Sequence, residues 1–78
     1  MDKKSNPPNL HQRLEAIIKE MVDRDIQFKD ARDEFEKIFI ETASGRYKGN
    51  KCKVAKAIGI HRNTLHSRAK ALKIKGLI

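Results

Sequence analysis

The 78 residues predict an all-α chain of four helices, two long ones followed by two short ones. Three observations lead there. Apolar residues recur at intervals of three and four through the first half, which is the helical period. Two short periodic segments later on are separated only by a few residues containing Gly59, a helix–turn–helix arrangement. The chain is also short enough for a single domain with a thin core, which favours helices that share their apolar faces with a partner.

In chain order, residues 1–9 are polar, carry Pro7 and Pro8, and predict a flexible head. Asn9 suits the cap of a first helix running to about Arg24. Leu10, Leu14, Ile17, Ile18, Met21 and Val22 form a wide stripe along it, opposite Gln12, Arg13, Lys19, Glu20 and Asp23. Asp25, Ile26 and Gln27 break the pattern as a connector.

A second helix follows from about Phe28 to Arg46, with Phe28, Ala31, Phe35, Ile38, Phe39, Thr42 and Ala43 as its buried face. Asp30, Asp33 and Glu34 suit the positive end of its dipole. The Asp and Glu residues of this helix otherwise read as a solvated face. Gly45 and Gly49 mark its fraying end and the exit turn.

Two helices with broad apolar faces cannot shield themselves in so small a chain. A homodimer built as a four-helix bundle answers that need. Its interface falls to Leu14, Ile17, Ile18, Met21, Val22, Phe35, Ile38 and Phe39. Residues 10–47 are thus expected to be dimerisation helices and 48–78 a helix–turn–helix region, all in one domain.

The last region reads GNKCKVAKAIGIHRNTLHSRAKAL from Gly49 to Leu72. Asn50 can cap a helix over Lys51–Ile58, and a second helix runs from about His61 to Lys73. Ala55 keeps the crossing of the two backbones close. Gly59 can adopt positive φ and stop the first helix abruptly. Val54, Ile58, Ile60 and Leu65 supply the apolar plug between them.

Charge is divided along the chain. Every Asp and Glu lies at or before Glu41, whereas from Arg46 onward there are ten Lys and Arg residues and no acid. A segment so one-signed points to a polyanionic partner. A helix–turn–helix places the first residues of its second helix against base edges in the DNA major groove. Arg62 can donate two hydrogen bonds to guanine, and His66, four residues on, shares its face, which makes both candidate readers. Asn63 can pair with adenine or instead serve as a cap. Thr64, Ser67 and Arg68 suit phosphate or sugar. The free N–H groups at Lys51–Lys53, with the side chains of Asn50, Lys51 and Lys53, can hold a phosphate. Lys70, Lys73 and Lys75 add longer-range attraction.

Other chemistry finds no footing. His11, His61, His66 and Cys52 lack zinc-ligand spacing, and Gly45, Gly49 and Lys51 do not make a phosphate-binding loop. Neither a metal, a cofactor, a small-molecule substrate nor catalysis is expected. A single cysteine fits a reducing cytoplasm. Met1–Asn9 does not read as a signal peptide, and no apolar run approaches the ~20 residues that span a bilayer, so no membrane partner is expected.

The stretch FEKIFIETA followed by YKGNKCKVAKAIGIHRNTLHSRAKAL resembles the Fis-type helix–turn–helix, found in stand-alone Fis and at the C-terminus of NtrC-like regulators. The strongest matches are Phe35-Glu36, Gly49-Asn50, Ala55, Ala57, Gly59-Ile60, Arg62, Thr64-Leu65 and Leu72. The resemblance implies a bacterial homodimer with interlocked N-terminal helices, acting on a partly symmetric, AT-tolerant site that it bends. It assigns base contacts to His61, Arg62 and Ser67, and phosphate contacts to Asn50, Cys52, Lys53, Thr64 and His66. Cys52 stands where the family usually has Ser or Thr, and His66 and Ser67 where it is often basic. Ala69 stands where it usually has Leu or Ile, which predicts a less firmly seated recognition helix.

The expectation is therefore a sequence-selective regulator or nucleoid-associated protein that binds double-stranded DNA in the cytoplasm, at the nucleoid. The alternative is the dimerisation and DNA-targeting module of a larger NtrC-like, sigma-54-dependent ATPase regulator.

Overall fold

A computed structural model describes residues 9–77, so the expected flexible head lies, apart from Asn9, outside the described residues. The described chain is all-α, with α1 at Leu10–Asp23, α2 at Phe28–Arg46, α3 at Lys51–Ile58 and α4 at Arg62–Ala71. It divides into two compact units, with the boundary inside α2 between Ala31 and Arg32.

In the first unit, α1 begins with a reciprocal cap. Asn9 Oδ1 accepts from the Gln12 N–H at 2.8 Å, and Gln12 Oε1 accepts from the Asn9 N–H at 3.0 Å. Ion pairs one turn apart, Lys19–Asp23 at 2.9 Å and Glu20–Arg24 at 2.8 Å, line its polar side. The helix stops where Asp25 takes φ 58°, with the Ile26 N–H donating to the Met21 carbonyl and the Asp25 N–H to that of Val22. No residue of α1 is buried, so its stripe of Leu14, Ile17, Ile18 and Val22 stays open.

The second unit holds the core. Ile40, Val54, Ala55, Leu65, Ala69, Ile74 and Leu77 are buried together, with Ala43, Tyr47, Ile58, Ile60 and Leu72 packed against them. Each fully buried Leu, Ile or Val contributes about 1.5–3 kcal/mol relative to exposure.

This core adds a second packed stripe to α2 beside the expected one, which it meets at Ala43. Its only buried residue is Ile40, whereas Phe35, Ile38 and Phe39 remain about half exposed. Helix α2 carries two stripes. Ile40, Ala43 and Tyr47, spaced by three and four, pack on the short helices, and the half-exposed phenylalanine stripe lies beside them. Phe28, expected inside, is 81 % exposed. Gly45, expected in a fraying end, is helical, and α2 ends a residue later, before Lys48 and Gly49 take φ 53° and 76°.

Three residues, Gly59–His61, join α3 to α4. Gly59 has φ 77°, and both its N–H and that of Ile60 donate to the Ala55 carbonyl, closing α3 in under a turn. Val54 and Leu65 fill the angle between the helices with no solvent exposure. Helix α4 ends two residues before the expected Lys73, because Lys73 turns left-handed at φ 58°. That turn lets the Ile74 N–H donate to the Ala69 carbonyl and folds Ile74 and Leu77 back into the core. Ala69 is itself fully buried within this cluster.

Candidate nucleic-acid interface

Helix α4 has two unlike sides. Leu65 and Ala69 face the core, four apart, while Asn63, His66, Ser67 and Lys70 lie one helical turn apart on the exposed side. His61 is the N-cap, in extended backbone and without a side-chain capping bond. Asn63 is therefore inside the first turn and does not serve as the cap.

The start of α3 lies beside the start of α4. Arg62 Nη1 donates to Cys52 Sγ across 3.5 Å, and Lys51, Arg62, Asn63 and His66 line a common shallow recess. Two cations and two groups able to read base edges thus border one depression. Asn50 caps α3 through its side-chain oxygen, which accepts from the Lys53 N–H at 3.1 Å. That bond takes one of the three N–H groups expected to meet a phosphate, leaving those of Lys51 and Cys52 without a capping partner among these bonds. The Lys53 side chain, Cys52, Thr64 and Lys70 are exposed.

Arg68 stands apart from the other candidates. It is one-third exposed, and its guanidinium faces α2, where Nε donates to Glu36 Oε2 at 3.3 Å and Nη2 to Glu36 Oε1. Asp33 Oδ1 lies 3.8 Å from the same Nη2. The hydrogen bond to Glu36, then its charge, hold the Arg68 pKa above the ordinary guanidinium value, with Asp33 adding to the shift against partial burial. Glu36 and Asp33 are accordingly partners of α4, not part of a solvated face. Signals for this were present at Glu36, Ile40, Ala43 and Tyr47, whose spacing of four, three and four marks a second face of α2.

Sequence reasoning also passed over Ile40, Ile74 and Leu77, which seat α4 from outside the two-helix motif. Among the described residues, no three His, Cys, Asp or Glu side chains gather as they would around a metal ion. No described helix is long and apolar enough to cross a membrane.

Residues 31–72 match the family described as bacterial regulatory protein, Fis family. The matched segment holds most of α2 and all of α3 and α4, which are the elements of the second unit's core. Comparison with curated proteins and with solved structures gave no match. The match spans more than half of the chain, and with the geometry of α3 and α4 it places the protein in the Fis family of bacterial regulators, whose helix–turn–helix binds DNA.

Proposed function

We propose that this protein is a sequence-selective DNA-binding regulator or nucleoid-associated protein that acts as a homodimer, each subunit laying α4 in a major groove. One observation carries the reading. Helix α4 seals Leu65 and Ala69 into the core while Arg62, Asn63 and His66 stand outward beside Lys51 at the α3 N-terminus, and Ser67 is exposed one turn on from Asn63. A polar helix backed by a packed core, with a cationic flank, is what base readout requires. In this reading His61, Arg62, Asn63 and Ser67 meet bases. Asn50, Lys51, Cys52, Lys53, Thr64, His66 and Lys70 meet the backbone.

The dimer reading is supported in each unit separately. Helix α1 buries nothing of its stripe, and Phe35, Ile38 and Phe39 remain about half exposed in the second unit. Residues 10–47 would supply the dimer contacts and 48–78 the DNA contacts. A second copy covering these faces removes apolar surface that a lone chain leaves in water.

Selection of duplexes from a random-sequence pool, with sedimentation of the free protein, tests both parts. A recovered consensus with partial two-fold symmetry and a mass of two chains is the expected result. Binding that shows no sequence preference overturns the regulator reading, and a mass of one chain overturns the dimer.

A further inference from the structure

We propose that Arg68 is a positioning residue, a strut between the recognition helix and α2 that sets the roll of α4 in the groove. The inference rests on the DNA-reading role of α4 proposed above. By charge alone Arg68 belongs with the phosphate-binding cations, but it lies on another side of the helix. It follows Leu65 by three residues and precedes Leu72 by four, which aligns it with the packed face rather than with Asn63 and Ser67. Its guanidinium reaches 32 residues back to Glu36 through both Nε and Nη2, with Asp33 near Nη2. Glu36 stands four residues before Ile40, on the α2 stripe that packs against the motif.

An isolated exposed ion pair contributes little to stability. This one differs in geometry and setting. A planar fork on one carboxylate fixes angle as well as distance, and the groups are only about one-third exposed, at 34 % for Arg68 and 31 % for Glu36. The apolar seat of α4 includes Ala69, whose single methyl resists rotation about the helix axis less than a branched chain does. A roll of about 10° moves a side-chain tip ~6 Å from the axis by roughly 1 Å. A precise site tolerates about half that. The strut therefore bears on which base edges Asn63 and Ser67 reach, and not on the number of phosphates neutralised.

The two roles separate experimentally in the full chain. The probes are a duplex that the unaltered protein selects from a random pool and a scrambled duplex of equal length and composition. Affinity for both is measured over a salt series for Glu36→Gln, Arg68→Gln, Arg68→Lys and the Glu36→Gln/Arg68→Gln pair, with thermal melts confirming folded protein. A strut predicts that Glu36→Gln and Arg68→Gln each lower the ratio of selected to scrambled affinity by about fivefold, and that the double change adds little. Arg68→Lys keeps the charge, loses the fork, and falls with them. The salt slope of all four matches the unaltered protein. A phosphate contact predicts otherwise: Arg68→Gln loses about 0.9 from the slope, Arg68→Lys binds normally, and Glu36→Gln keeps its ratio. That pattern overturns the proposal. If the unaltered protein shows no preference between duplexes, the DNA-reading function itself fails and this role with it. If it discriminates and the variants discriminate equally, only the positioning role falls.

Discussion

Arg62 Nη1 reaches Cys52 Sγ at 3.5 Å, linking the first residue of α4 to the second residue of α3. Thiol sulfur is a weak acceptor, so the guanidinium is held over the recess yet exchanges this contact for a stronger one at small cost. The pair thus pre-orients the proposed base reader in the free protein, which reduces the ordering that binding must supply.

Arg62→Ala is expected to lower affinity for a selected duplex by about 1–3 kcal/mol and to relax preference at one base position. Lys53→Ala should weaken all duplexes alike and reduce the salt slope by about 1. Titrations of both variants on selected and scrambled duplexes check this. Equal loss on the two duplexes for Arg62→Ala would remove its role as a base reader.

Leu65 is fully buried at the crossing of α3 and α4. Leu65→Ala should destabilise the fold by about 2–5 kcal/mol, a large share of the ~5–15 kcal/mol typical of a domain. Leu77→Ala, at an equally buried site near the end of the chain, should fall in the same range. Denaturant unfolding gives both values, and a harmless Leu77→Ala would show that the tail does not belong to the core.

The two ends of α3 invite separate tests. Asn50→Ala removes the side-chain bond to the Lys53 N–H and should cost about 1 kcal/mol. Gly59→Ala meets no steric obstacle but forces alanine to φ 77°, for about 1–2 kcal/mol. Thermal unfolding of each variant reads these changes. A Gly59→Ala protein as stable as the parent would mean that the turn relaxes out of the left-handed region.

The phenyl rings of Phe35 and Phe39 sit 5.6 Å apart on the open stripe of α2. Phe35→Ser with Phe39→Ser should halve the sedimenting mass of the proposed dimer, whose shared apolar area it removes. Ile40→Ala, on the neighbouring stripe, should instead destabilise the helix–turn–helix by about 2–5 kcal/mol. A double serine variant that keeps the mass of two chains would place the interface elsewhere.

The elements governed by neighbours in sequence were legible. The Asn9 and Asn50 caps, the Gly59 stop, and helices within a few residues of their expected limits follow from groups three to five residues apart. The plug of Val54 and Leu65 was equally readable, since α3 and α4 are separated by only a short turn. The second packed stripe of α2 was not. Two apolar stripes run along it, and the larger side chains of the phenylalanine stripe outweigh Ile40, Ala43 and Tyr47 in any reading by hydrophobicity.

By itself, then, the order of residues determined four helices, a glycine-stopped turn, and a C-terminal segment carrying positive charge alone. Each of these is set by backbone preference, periodicity or composition over a short span. Tertiary structure alone decided which stripe of α2 meets the motif, that Ile74 and Leu77 return to close the core, and that Arg68 turns to Glu36. Those outcomes join residues far apart along the chain, and a local pattern shows only that a group needs a partner. The partner is chosen when the helices pack.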